Sequence, residues 1–496
     1  MNYRRILLIT GKLAKNLVEK QASKFNNVDV YVVNKEVAAL ITTKDIENID
    51  LSKYDLVLLP GLAKGNWKKL EKLKGVKIRL GPIHACDIEF ILRNIDKVEL
   101  SHDIPACKLL ENSTKDNDLR TLAYPADFAF KIRDIKIGGD SRIKVISEIQ
   151  NVTEIDDDEL KEKIDYLQKF ADIIDLSIPN ESSYDQVRRA IKIALDYSSV
   201  PISVDTTNPK FLILASELGT DLLLSLTYNN FSKVVDKISK EQAVVVAEKS
   251  LNLLLTMINK LREIGFCKII ADCLLDPPMY GLTFSIKRYV TFREKDKDTP
   301  LLMGVGNVTE LCDVDSTGVN GLLTFIAEEI GVNLLLTTEA SPKTHGSTKE
   351  LKIATYMSKI SKRKKKFPKD MYFNLLSVKE KKRIESKTEK VEKMIIAEGK
   401  KTFKFDPKGY FKIWLEKGKI FCKHSSGVTI VGSSADDILS TIISNNLISN
   451  LEHAAYLGKE LTKAEIALKL NKNYVQDLDL NFGIYTNFNN FLVSTE

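Results

Sequence analysis

Between Lys144 and Thr338, short apolar runs alternate with stretches whose apolar positions recur at helical spacing. The runs begin near Lys144, Ile173, Ile202, Leu222, Val244, Ile269, Leu301 and Leu334. Eight strand-like runs, each followed by an amphipathic segment, predict a (β/α)8 barrel in the α/β class. The runs also close on polar residues: Glu148, Asp175, Asp205, Ser225, Glu248, Asp272, Asn307, and Thr338 with Glu339. Barrel sites lie at the carboxyl ends of the strands. Such punctuation therefore predicts a ligand pocket, although strands of inert proteins also turn polar where they meet water. The set carries the inference; no single member does.

The flanks read differently. Residues 1–122 alternate strands (RRILLITG, VDVYVVN, YDLVLLPG) with helical stretches and predict a Rossmann-like α/β domain. Its glycine-bearing loops, ITGKLAKN, LPGLAKGN and KIRLGPIH, could place backbone N–H groups near an anion. Tight turns explain them better, and no G-x-G-x-x-G is present. His84, Cys86 and Asp87 could be metal ligands, but a half-buried loop cluster is the preferred reading. Residues 123–365 hold the barrel, led by a hairpin in AYPADFAFKIRDIKIGGDSR with a turn signal at Gly138-Gly139. That ribbon is expected to plug the amino-terminal mouth. Residues 366–394 read as a charged linker with an exposed helix in VKEKKRIESKTEKVEK. Residues 395–496 predict an α+β domain, a hairpin turning at Pro407–Gly409 and Lys417-Gly418 followed by two helices. On the second helix His453 could ligate a metal, with a packed helix histidine as the plainer alternative.

Composition narrows this picture. The 496 residues exceed one barrel, and 44% apolar with 28% charged content fits folded domains with full cores. The net charge of +7 is dispersed, which hints at anionic ligands, and no aromatic-basic interleaving suggests a nucleic-acid surface. Six cysteines without a C-x-x-C pair argue against a disulfide scaffold or zinc ribbon and for a reducing, cytoplasmic setting. No apolar run is long enough for a signal sequence or a membrane span.

Asp175, Asp205 and Asp272, with Asn208 in VDTTNP and Asn307 in GVGN, offer carboxylates and amides to one cleft. Such a set suits a flat heterocycle rich in N–H donors and carbonyl acceptors. A 2-amino-4-oxopteridine is one, since a carboxylate can accept from its 2-amino and N3 hydrogens together. The barrel holds no dinucleotide motif, no histidine but His345, and no histidine-rich zinc shell.

ADIIDLSIPNES, PISVDTTNP, IIADCLLDPPMYG, LLMGVGN and TTEASPKTHGS resemble the archaeal dihydropteroate synthase-related family. That family belongs to the pterin-binding TIM barrels, alongside dihydropteroate synthases and methyltetrahydrofolate methyltransferases. The amino-terminal unit and the tail NLEHAAYLGKELTKAEIAL are also similar to the family pattern. The resemblance implies pterin contacts at Asp175, Asp205, Asn208, Ser225, Asp272 and Asn307, with Asp272 on the amino-pyrimidine edge. A dihydropteroate synthase would carry a lysine after S-R on the seventh strand and R-x-H near the eighth. GNV and TEA stand there instead. Lys343, His345 and Ser347 are candidate replacement phosphate contacts, helped by N–H donors of a helix beginning near Ser347. The implied reaction transfers a pterinylmethyl group from a 6-hydroxymethyl-dihydropterin diphosphate to an aryl amine, p-aminobenzoate or a ribosylaminobenzene phosphate. It would serve folate- or methanopterin-type carrier synthesis, with Asp175, Asp272 and Lys343 as the catalytic set. Mg²⁺ would assist the diphosphate, with Asn151 and Glu148 as candidate ligands. The expected assembly is a homodimer. Alternatives are a methyltetrahydropterin-dependent corrinoid methyltransferase and a non-catalytic pterin-binding protein.

Overall fold

The computed structural model describes residues 3–97, 99–110, 122, 125–369, 371–380, 394–397 and 404–482. The chain forms two compact units, 1–381 and 382–496.

The first unit opens with four strands, β1 (Ile6–Thr10), β2 (Val28–Val32), β3 (Leu56–Leu59) and β4 (Lys77–Leu80). They pair in parallel in the order β2-β1-β3-β4. Helices α1 (Lys15–Ala22), α2 (Trp67–Lys74) and α3 (Ile88–Asn94) accompany them. Leu7 and Ile9 pack into one core while Ile6 and Leu8 pack into another. A strand covered on both faces reads as continuous apolar sequence, which is why ILLI lacks alternation. A Cβ at Gly11 would lie 2.8 Å from the Lys35 carbonyl oxygen, and the Lys12 and Leu13 N–H groups already donate to Lys35 and Glu36. That glycine permits close backbone packing and leaves no anion cradle. In the GPIHACDI loop, Asp87 pairs with Lys366 at 3.5 Å.

Strands β5 (Phe130–Ile132) and β6 (Ile135–Ile137) form the expected antiparallel ribbon. Its tight turn is Arg133-Asp134, with Arg133 at φ 48°; Gly138 and Gly139, at φ 81° and 55°, instead redirect the chain into the barrel. Ile132 and Ile137 join Ile146, Ile173, Leu222, Val245, Ile270 and Leu334 in the barrel's interior core. Burying the two isoleucines stabilises the plug by about 1.5–3 kcal/mol each.

Eight parallel strands close the barrel: β7 (Lys144–Ile149), β8 (Ile173–Ser177), β9 (Ile202–Asp205), β10 (Leu222–Leu226), β11 (Ala243–Ala247), β12 (Ile269–Asp272), β13 (Leu301–Gly304) and β14 (Leu334–Thr338). Helices α4 (Asp157–Leu167), α5 (Tyr184–Tyr197), α6 (Pro209–Glu217), α7 (Leu251–Glu263), α8 (Leu282–Lys295), α9 (Ser316–Ile330) and α10 (Ser347–Lys364) surround it. After β10 only the short helix Phe231–Val234 and a 3-10 turn, Val235–Lys237, intervene. Helix starts follow their capping chemistry. Asp156 and Ser183 accept from N–H groups three residues on, and Pro209 occupies the first turn of α6.

The second unit has β15 (Phe411–Glu416), β16 (Lys419–His424) and β17 (Thr429–Gly432) in one antiparallel sheet, then α11 (Ala435–Ser444) and α12 (Leu451–Leu470). The hairpin turns at Lys417-Gly418 as expected, and β17 adds a strand that the polar stretch after His424 conceals. His453 is a packed helix histidine. Its ring pairs with Asp406 at 3.2 Å and lies 5.9 Å from the Phe411 ring. Most of the exposed helix expected near Val378 lies outside the described residues. No described helix is long and apolar enough to cross a membrane.

Candidate functional site

Side chains alternate along a strand. Ile146, Ile173 and Ile270 face the barrel interior. Two residues on, Glu148, Asp175 and Asp272 share that face at the carboxyl ends of their strands. On β9, Ile202 and Val204 belong to the core under the helices, which leaves Ser203 and Asp205 inward. The ladders set their heights: Thr338 pairs with Glu148, Glu148 with Asp175, Asp175 with Ser203, and Ser177 with Asp205. Asp272 lies opposite Ala247 and Leu302. Four carboxylates thus gather at one rim.

Their titration records this proximity. Burial raises Asp175 well above the ordinary carboxylate value, and the charges of Asp205 and Glu148 add to it against a bond from the Ser203 hydroxyl. Asp205 is raised to about 7 by burial, then by Glu148 and Asp272. Glu148 is raised by burial, with a further push from Glu310. Among the described residues no lysine or arginine forms an ion pair with Glu148, Asp175 or Asp205. One oxygen of Asp175, Oδ2, is buried with no hydrogen-bond partner. Unpaired buried carboxylates disfavour the apo state, so the rim is built for something that donates hydrogen bonds or carries positive charge.

Asp272 is held more tightly. The Tyr289 hydroxyl donates to its Oδ1 at 2.5 Å and the Leu274 N–H donates to the same oxygen at 2.8 Å. Burial raises this carboxyl to about 6 against the pull of those two bonds. Leu274 takes φ 60°, a conformation a leucine seldom adopts. Arg288 stabilises it: Nε donates to the Cys273 carbonyl at 2.6 Å, and the guanidinium also reaches the Leu274 carbonyl and Asp276. Adjacent residues of α8 therefore clamp the strand end, one on the carboxylate and one on the loop behind it. Asp272 keeps Oδ2 for a ligand.

The other sequence candidates are placed as follows. Asn208 caps α6, accepting from Lys210 N–H at 3.0 Å. The Ser225 carbonyl accepts from Asn230 at 3.0 Å. Asn307 lies past the end of β13, on the short helix Gly306–Thr309, and donates to the Leu275 carbonyl at 3.0 Å, bracing the loop behind Asp272. Asn151 is exposed in a turn at φ 51°. A cleft of about 470 Å³ opens at the ends of β9–β12, lined by Thr207, Thr227, Asn230, Lys233, Glu248 and Leu274.

The eighth loop corrects one expectation. Two of the N–H donors at the start of α10 are already taken, because the Glu339 carboxylate accepts from Gly346 at 2.7 Å and Thr348 at 3.0 Å. Lys343 pairs with Asp313 at 3.0 Å and also reaches the Cys312 carbonyl; His345 lies 3.6 Å from Glu339; Ser347 is fully buried. An acidic residue has taken the place an anion would use. Sequence reading missed Tyr289, Arg288 and Ser203, and it placed Glu339 at the rim without its bonds to the start of α10. Tyr289 is fully buried on α8, a placement that the sequence alone does not announce.

Among solved structures, dihydropteroate synthase from Thermus thermophilus is 18% identical, with TM-score 0.35 over 44% of this chain and 93% of that one. The Yersinia pestis enzyme is 14% identical, with TM-score 0.37 over 48% and 99%. The family described as PterinBD-DUF4346 matches residues 405–477. The uncharacterized protein MJ0107 of Methanocaldococcus jannaschii is 36% identical over 96% of this chain and 99% of its own length. With likeness running the length of both chains, this chain belongs to the family of that archaeal protein.

Proposed function

We propose that the barrel mouth binds a reduced pterin and transfers its pterinylmethyl group to an aryl amine. The observation that carries this reading is the clamped, half-free carboxylate of Asp272 beside the uncompensated pair Asp175 and Asp205. Asp272 Oδ2 would accept from the 2-amino and N3 hydrogens of the ring, with Asp205 and the cleft at the ends of β9–β12 around the remaining edge. In the reaction the methylene–oxygen bond breaks and diphosphate leaves with the electron pair. The amine nitrogen then forms the new carbon–nitrogen bond and releases a proton to solvent. Positive charge developing on the pterin is stabilised by Asp272, Asp205 and Asp175.

The ring also suits a divalent cation. Among the described residues no three of His, Cys, Asp or Glu stand together as a metal cage, so Mg²⁺ would lean on water and phosphate oxygens. Glu148 is the carboxylate that would hold it, and Asn151 stands outside the ring. When bound, the ion would neutralise the departing diphosphate. The acceptor would be p-aminobenzoate or a ribosylaminobenzene phosphate.

A second reading, methyl transfer from a methyltetrahydropterin, is favoured by one observation. Lys343 pairs with the exposed Asp313 and two N–H groups at the start of α10 bond Glu339, so the eighth loop has fewer donors ready for a diphosphate. The test is to mix the full chain with 6-hydroxymethyl-dihydropterin diphosphate and each aryl amine and follow diphosphate release. Release that requires the amine supports the synthase. Tight pterin binding without release supports the second reading, and no pterin binding overturns both.

A further inference from the structure

The barrel has a second cleft at its opposite, amino-terminal end, of about 290 Å³. It lies where the plugging ribbon meets the segments that lead into β10, β11 and β12. Lys131 and Arg133 come from the ribbon, Asp221, Glu241 and Gln242 from the segments before and into β10 and β11, and Lys268 precedes β12. Arg133 and Asp221 neutralise each other through contacts of 2.9 and 2.8 Å. Lys131, whose Nζ also lies 5.8 Å from the Phe128 ring, and Lys268 line the cleft with Glu241, a surplus of one positive charge.

Gln242 makes the cleft selective. It is 8% exposed, and its Nε2 donates to the Thr220 carbonyl at 2.5 Å and to the Thr220 hydroxyl oxygen at 3.0 Å. Turning the amide over would set its oxygen against that carbonyl, so the orientation is fixed. Its Oε1 is buried and has no partner. An acceptor left bare in this way costs about 1–3 kcal/mol relative to a bonded one. Two lysines ask for an anion, and Oε1 asks for an N–H or O–H. A bare anion such as sulfate supplies only the first.

We propose that this cleft binds a small anion carrying its own hydroxyl, of the class of hydroxylated phosphate monoesters. The phosphate would lie between Lys131 and Lys268, and the hydroxyl would donate to Gln242 Oε1. Such a ligand would tie the ribbon to the segments leading into β11 and β12, so its effect is on stability rather than on the chemistry at the other mouth.

Calorimetry on the full chain tests this, with glycerol 3-phosphate as the probe and sulfate as the control at equal ionic strength. Glycerol 3-phosphate should bind at least about tenfold more tightly than sulfate. The K131A/K268A double variant, whose side chains lie toward the surface, should lose about tenfold or more in affinity. D272N should bind the probe like the parent chain, which separates this cleft from the pterin reading. Equal affinity for sulfate, unchanged binding in K131A/K268A, loss of binding in D272N, or no binding at about 10 mM would each overturn the proposal.

Discussion

The two ends of the barrel treat buried carboxylates in opposite ways. Below the amino end, Asp172 is bonded by Arg142 and by Lys352, each at 2.7 Å, and by the Val145 N–H at 2.9 Å. Burial alone would raise its carboxyl, yet the charges of Arg142, Lys352 and Lys144 hold it far below the ordinary value. Lys144, buried beside this network and donating to the Arg142 carbonyl at 2.6 Å, is lowered to about 7 by burial and by Arg142. At the carboxyl end, Asp175 and Asp205 are equally deep and have no cation. Similar side chains at similar depth titrate in opposite directions because one end completes its pairs internally and the other leaves them to a ligand.

The comparison breaks most visibly if Asp172 proves dispensable. Asp172→Ala strands Arg142 and Lys352 and should cost about 3–5 kcal/mol in urea unfolding. Because the native pair depresses this carboxyl, its contribution is present above the ordinary carboxylate value and fades as pH falls through the native one.

Asp272→Asn should weaken reduced-pterin binding by about 100-fold in calorimetry, near 3 kcal/mol, while leaving the fold intact. Unchanged affinity would remove Asp272 from the ring-binding role.

Asp205→Asn should act in the opposite sense on stability. Its native carboxyl is raised to about 7, so between the ordinary carboxylate range and about pH 7 the folded chain holds the extra proton. Its contribution to stability therefore falls as pH rises through that window. The variant should gain about 1–3 kcal/mol at pH 8 and nothing at pH 4, read from paired melts. A loss at pH 8 would mean that Asp205 has an internal partner after all.

The smallest effect sharpens the site. Tyr289→Phe should cost about 1 kcal/mol of stability. Without the phenol's bond the Asp272 carboxyl titrates higher, so the pH midpoint for pterin binding should move up from near 6. A midpoint that stays put would reduce Tyr289 to packing.

Much of this arrangement was legible along the chain. All eight barrel strands begin at or within one residue of the apolar runs that announce them, since a parallel strand buried on both faces must be apolar throughout. The carboxylates of β8, β9 and β12 were visible as well, although only Asp205 and Asp272 close their strands; Asp175 stands two residues before the end of β8. The hairpin plug was anticipated, but its turn signal was read at Gly138-Gly139, whereas Arg133-Asp134 makes the turn. The strand β17 was not legible, because its polar, glycine-bearing lead-in reads as loop.

What the sequence by itself determined is therefore the periodic order of strands and helices and the set of acidic residues carried to one rim. Only the tertiary structure decided which charges are satisfied. Asp172 and Asp175 stand three residues apart, and no local pattern distinguishes them. Arg142 and Lys352 reach the first from 30 and 180 residues away, while no basic residue among those described pairs with the second. Likewise, Glu339 takes the start of α10 and Tyr289 takes one oxygen of Asp272 because the closed barrel brings them there. Burial and pairing are properties of three-dimensional neighbours, and they decide whether a carboxylate supports the fold or waits for a ligand.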